Sequence, residues 1–511
     1  MYAHNTWHSS TSGMKCIFPR RERGFVVSSA RPETVCSAFL CVSGIVFQVF
    51  INGHRLRRGK AGFIVSPAFL KPWENEIHLY GWPRSARLTS DGEPLPAPSL
   101  TIERATTGKE HETDPLMQAA DALNTFIVAE GTDRGDMFSF YDPVDGAFRL
   151  SRWRWDTGIC LEALSRLAQT RDCGRHLNNI KRLADRFIDI QLKDQLCHGG
   201  FSEVIDPHIA KNRQTVLPEW VVPFNGAFIG SGLIAASELF PDEKTKYLQA
   251  ARHAHTLMTT KGINGEGLLR GYYHTEEQTW LYHGQINDSG IFPRFSGQLY
   301  EEGLMPYPDP VITYARAYCR FMQAQGYAGR AFFFQDEKEL YPSGTPLFPE
   351  WKNNPERLPA KIFARGQAWA ILGLNSAWML SQDEQIGKNV KLIIEYLLDR
   401  QRSDGCWVHD LRHPERGVDI KATAVIGWAL CEAETSYRTL GGDAGRLKEA
   451  IQQTWKALTA NQEKFRNADI PGALLDEGEE GAIIYYRNRP MYTAYASAAF
   501  ILMGLLLEGK A

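Results

Sequence analysis

Arg365, Gln367 and Trp369 stand at the head of an otherwise apolar segment, KIFARGQAWAILGL over 361–374. A polar turn ends at Ala364, and the apolar pattern runs on through Leu372, Leu374 and Trp378. Polar groups at the start of a buried helix cost free energy unless they are paired or face a cavity. The N-terminus also carries the positive end of the helix dipole, which suits an anionic ligand. Arg365 is therefore either a structural ion-pair partner or an anchor for a carboxylate, and the spacing leaves both readings open. Asp156, Asn225, Asp288 and Asp419 repeat the pattern, each opening an apolar helical segment. Carboxylates, amides and a guanidinium gathered on one rim could serve acid/base chemistry on a polar substrate. Asp and Asn are also favoured helix caps, so each residue taken singly keeps a capping reading.

The elements that must position these residues are paired helices. From about Pro115 apolar periodicity of the helical kind continues to the end of the chain. The pairs begin at Trp155 with Leu177–Gln191, Phe224 with Thr245–Met258, and Asp288 with Pro310–Gln325. They continue with Arg365 and 387–401, then Asp419 and 444–460, and a last inner helix runs from Tyr492 to Leu507. The first member of each pair is apolar nearly all round and the second is amphipathic, the patterns of a buried and an outer helix. Repeated buried–exposed pairs predict an α/α toroid over residues 115–508, with the inner helix starts converging on one end of a central cavity. Before it, the pattern predicts a small β-sandwich-like domain over 37–108 and an irregular segment over 1–36. The β reading rests on Val46–Ile51, the Asn52-Gly53 hairpin signal, 62–65 and Glu76–Tyr80.

Composition removes several function classes. A net charge of −2 gives no broad attraction to nucleic acid or an anionic membrane. Hydrophobic residues at 43% and charged residues at 23% are ordinary for a globular chain. The 13 Trp and 19 Tyr suit stacking on sugar rings and suit a large core equally. Nine Cys without CxxC pairs, with Cys160, Cys319 and Cys431 in apolar contexts, favour a reducing, cytoplasmic setting. No leader pattern and no long apolar run is expected to engage a membrane. His253 and His255 are two apart and do not share a helix face, so no metal site is expected. No cofactor is expected either, and the oligomeric state is open.

The stretch Ala364-Arg365-Gly366-Gln367-Ala368-Trp369-Ala370, followed by Leu372-Gly373-Leu374, resembles the most characteristic motif of glycoside hydrolase family 88, the unsaturated glucuronyl hydrolases. The related family 105 of unsaturated rhamnogalacturonyl hydrolases shares its six-hairpin α/α toroid. Trp155–Gln169 is similar to the first inner helix, Asp404-Gly405-Cys406-Trp407 and Asp419–Ala424 to the Trp loop and fifth inner start, and Arg489–Leu507 to the closing helix. The resemblance implies hydration of a vinyl ether in oligosaccharides that carry an unsaturated uronic acid. It implies Asp288, in Ile286–Gly290, as the catalytic acid/base, Arg365 facing the uronate, and Trp369 or Trp155 stacking on the ring, with Gln367 and Asn225 also binding substrate. Two positions depart from the family. Asn225 stands where a second Asp is expected, so Asp156 or Glu219 supplies the second carboxylate. Ala331–Phe334 occupies the place of a histidine. Two other classes stay open: another α/α-toroid enzyme, such as a polysaccharide lyase using Tyr272, Tyr273, His274 and Asn225 or a sugar epimerase, and a non-catalytic sugar-binding protein.

Overall fold

In the computed structural model, the first 113 residues are described only as backbone strands between Thr6 and Thr101. From Asp114 onward all residues are described except 130, 132, 150–153, 203–219, 272, 276–277, 281–283, 286–287, 306–307, 325–332, 335–362, 412, 416, 466–467, 477–489 and 510–511. The side chains of 220, 284–285, 288, 321–324 and 333–334 also lie outside the description. The chain divides into two units, one of Met1–Asp114 with 143–146 and 465–471, the other holding the rest of 115–511.

The first unit is antiparallel β. Strands Ala38–Ile51 and Asn75–Ser90 pair along their length, from Ala38 opposite Ser90 to Ile51 opposite Ile77. Phe50 faces Arg55 and Ile51 faces His54, and Asn52-Gly53, read as the hairpin turn, lies outside the described residues. The stretch read as irregular also carries strands, and Arg23–Val27 pairs with 75–79.

Among the described residues of the second unit thirteen α-helices occur. They are α1 (Pro115–Thr125), α2 (Arg154–Thr170), α3 (Gly174–Ile190), α4 (Pro223–Leu239), α5 (Lys244–Leu257), α6 (Phe292–Glu301) and α7 (Asp309–Ala324). Then come α8 (Ala364–Ser381), α9 (Glu384–Leu398), α10 (Ile420–Glu432), α11 (Glu434–Thr439), α12 (Ala444–Lys464) and α13 (Ala494–Leu507). The inner set is α2, α4, α6, α8, α10 and α13. Every residue from Pro223 to Ser237 in α4 and from Ala494 to Leu505 in α13 is buried. Outer α3 buries only His176, Ile180, Leu183, Ala184 and Phe187, one stripe at helical spacing.

Small residues let the inner helices meet closely. A Cβ on Gly158 of α2 would lie 2.6 Å from the Ile229 nitrogen of α4, and one on Gly373 of α8 would lie 1.9 Å from the Gly290 oxygen. The ring continues through Trp369–Trp428 from α8 to α10, Gly427–Met503 from α10 to α13, and Trp155–Tyr495 from α13 back to α2. Outer α1 lies against α13 through Leu116 and Gly504, giving the last inner helix its partner from the start of the unit.

The inner helices α2, α6 and α10 also meet in a buried ion network. Arg294 of α6 holds Glu162 of α2 with two bonds, 2.8 and 3.1 Å, and Glu432 of α10 at 2.8 Å. Arg166 adds a bond to Glu162 at 2.9 Å, and Trp428 Nε1 donates to Glu432 at 2.9 Å. These three helices alternate around the ring, so their shared contact lies towards its centre.

Candidate active site

The inner helices present their first turns to one another. Trp155 and Tyr495 are each the second residue of their helices, and their rings lie 4.8 Å apart. Trp155 also reaches across the ring to Trp369 of α8, 6.2 Å away, and to Phe228 of α4, 5.9 Å away. Phe228 closes on Trp369 at 5.0 Å. An aromatic floor therefore spans the centre, from the first turns of α2 and α13 to the second turns of α4 and α8. Trp369 is fully buried, and its Nε1–H meets no hydrogen-bond acceptor among the described residues.

Arg365, the second residue of α8, is half-buried above this floor. Its Nη1 donates to the Tyr495 hydroxyl at 2.8 Å, and its Cζ sits 5.5 Å from the Trp155 ring and 5.8 Å from the Tyr495 ring. A guanidinium over aromatic faces gains cation–π energy while keeping donors directed elsewhere. Burial pushes the Tyr495 phenol up to about 12 against the opposing pull of Arg365 and Lys421, so it is a neutral hydroxyl that accepts from Arg365.

The loop before α10 holds the start of α8 in place. Ala364 N donates to His409 O at 3.0 Å, and Phe363 bridges Asp410. His409 Nδ1 meets Asp419 Oδ2 at 2.8 Å, while Asp419 Oδ1 caps α10 by accepting from Ala422 N at 2.9 Å. Lys421 Nζ lies 3.1 Å from Asp419 Oδ1 and also binds Asp476. Burial raises the Asp419 carboxyl, but Lys421, His409 and Arg365 outweigh it and hold it well below the usual carboxylate range. Asp419 is thus both a cap and a member of the site.

Asp156, fully buried in the first turn of α2, accepts from Ser139 Oγ at 3.0 Å. Ser139 O in turn accepts from Ala494 N, which ties Asp156 to the start of α13.

The sequence pattern of Glycosyl Hydrolase Family 88 matches residues 145–508. The chain belongs to this family. It is a glycoside hydrolase. Solved structures share its fold. An unsaturated glucuronyl hydrolase specific for heparin is 16% identical with a TM-score of 0.54, over 78% of this chain and 95% of that one. The unsaturated glucuronyl hydrolase from Bacillus sp. GL1 is 15% identical with a TM-score of 0.54, over 77% and 95%. A cellobiose 2-epimerase from Bacillus thermoamylovorans is 12% identical with a TM-score of 0.52, over 76% and 98%. No curated protein sequence matches the chain.

In this family 88 chain, Trp155, Arg365 and Trp369 come together, with Asp156 beside Trp155 in the same turn. Asn225 is fully buried at the third position of α4, and Gln367 is fully buried in α8 with its Nε2 3.4 Å from Phe363 O. Asp288 opens the 3-10 turn Asp288–Ile291, two residues before Gly290, which packs on Trp369 and Ala370. The Asp288 carboxyl, Glu219, Tyr272 and Ala331–Phe332 lie outside the described residues. Tyr273 and His274 form a short strand paired with Trp220–Val221.

Four site residues escaped the sequence reading: Tyr495, His409, Lys421 and Asp476. Tyr495 and Lys421 carried the signal that drew attention to Arg365, a polar group in the first turn of an apolar helix. Asp476, in a two-residue strand, carried none. Among the described residues no His, Cys, Asp and Glu cluster could hold a metal, and no helix is long and apolar enough to cross a membrane.

Proposed function

We propose that this glycoside hydrolase removes a 4,5-unsaturated uronic acid from the non-reducing end of oligosaccharides left by a polysaccharide lyase. The observation that carries the reading is Arg365: a half-exposed guanidinium at a helix N-terminus, seated over Trp155 and Tyr495. A guanidinium can meet a carboxylate with two parallel donors, which a lysine cannot.

In the proposed reaction Asp288 gives its proton to C4 of the double bond. Water adds at C5 and returns a proton to the site. The hemiketal so formed opens, and the glycosidic bond breaks. An acid working near neutral pH needs its pKa raised by burial or a neighbouring carboxylate. Asp156 is the second carboxylate in this proposal, because the Asn225 amide can bind a hydroxyl but cannot carry the proton. Gln367, Trp369 and Trp155 complete the substrate contacts. No metal or cofactor enters the reaction as proposed. The toroid beyond residue 115 carries the chemistry, with the β domain separate from it. Six described cysteines are free, which suits a cytoplasmic setting.

The test follows the absorbance of the C4=C5 bond in a panel of lyase-generated disaccharides. Loss of absorbance together with sugar release supports the reading. Binding without absorbance loss across the panel contradicts it.

A further inference from the structure

Lys421 is a lysine with 1% of its side chain exposed, set in the second residue of an otherwise apolar inner helix. Burying an ammonium group is costly unless anions compensate it closely. Here Asp419 Oδ1 lies 3.1 Å away and Asp476 Oδ2 is in direct contact. These two carboxylates lead to opposite sides of the Arg365–Tyr495 pair. Asp419 binds His409 Nδ1 at 2.8 Å, and the His409 carbonyl accepts from Ala364 N, the residue before Arg365. Asp476 pairs with Met491 in the strand Met491–Thr493, which runs directly into the helix that carries Tyr495. Two chains of contacts thus run from one ammonium group to the two partners of a single hydrogen bond.

We propose that Lys421 is a positioning residue that sets the Arg365–Tyr495 pair, and so the geometry of the carboxylate anchor, through Asp419 and His409 on one side and Asp476 on the other. The proposal rests on Arg365 being that anchor. Asp419 is faced by Lys421 of α10, His409 of the preceding loop, Arg365 of α8 and Tyr495 of α13, and Lys421 is faced in addition by Asp476 of the strand. Without Lys421, two buried carboxylates lose their shared cation, and the site becomes sensitive to their protonation.

Two measurements test the proposal. The first is steady-state kinetics of Lys421→Met and Asp476→Asn on the disaccharide that the wild type turns over fastest. Lys421→Met should raise KM about tenfold while kcat falls by less than about threefold, and its KM should recover as pH drops from 7.5 to 5.5. Asp476→Asn, which keeps the Lys421–Asp419 pair, should raise KM about threefold. A KM unchanged in both variants at every pH, with only a lower melting temperature, overturns the proposal and leaves Lys421 structural. The second needs no substrate: melting of Lys421→Met, Tyr495→Phe and the double variant. Coupled residues give a combined drop smaller than the sum of the single drops, and additive drops overturn the link. If the wild type turns over no unsaturated disaccharide, the proposed activity fails, while the melting cycle still decides whether Lys421 acts through Tyr495.

Discussion

Two arginines of the inner ring stand over tryptophans, and they differ in what holds them. Arg294 is 6% exposed, 4.9 Å from the Trp428 ring, and locked by Glu162 and Glu432. Arg365 is half-exposed, 5.5 Å from the Trp155 ring, and bonded to the neutral Tyr495 hydroxyl. The first guanidinium spends its planar donor fork on two carboxylates of its own chain. The second donates to the Tyr495 hydroxyl, lies beside two aromatic faces and turns part of its surface to solvent. The same residue type is thus a rivet in the Arg294 network and, in the proposed function, a ligand anchor at the start of α8.

The largest expected effect removes chemistry at the helix starts and leaves the Arg294 network intact. Asp288→Asn should lower kcat by about 10²- to 10⁴-fold, the usual cost of losing a general acid. KM and unfolding midpoint should stay near the wild type. Near-normal turnover would move the acid to Asp156 or Glu219.

The converse variant breaks the rivet. Arg294→Met leaves Glu162 and Glu432 facing each other, which should cost about 3–5 kcal/mol of stability by denaturant unfolding. KM of the folded fraction should not change. An altered KM at full stability would erase the distinction between the two arginines.

Acid sharpens the same contrast. Burial raises the Glu162 carboxyl, but Arg294 and Arg166 outweigh it and hold the value at about 2, against an ordinary 4.5. A depressed carboxyl stabilises the fold above its unfolded pKa, and that contribution is lost as pH falls through the folded value. The stability difference between wild type and Glu162→Gln should therefore shrink by about 3 kcal/mol between pH 5 and pH 2. A pH-independent difference would mean that Glu162 is not held as an ion.

Much of this was legible in residue spacing. Apolar-all-round segments such as Pro223–Leu239 became inner helices because no face of them can be left in water. Amphipathic 174–190 became an outer helix for the opposite reason. Arg365 and Trp369 announced themselves because polar groups at a buried helix start need partners. Those partners were less visible. Tyr495 lies 130 positions from Arg365, and Asp476 lies 55 from Lys421, so only closure of the ring brings them together. The Arg294 network was invisible for the same reason, since Glu162 and Arg294 are 132 positions apart and each reads alone as a surface charge.

The most direct measurement compares wild type and Arg365→Lys on the best unsaturated disaccharide, with KM and melting temperature taken from the same preparations. Lysine keeps the charge but lacks the two-pronged donor. If Arg365 anchors the uronate, KM rises about tenfold while the melting temperature moves little. A lowered melting temperature with an unchanged KM would make Arg365 a second rivet and contradict the account.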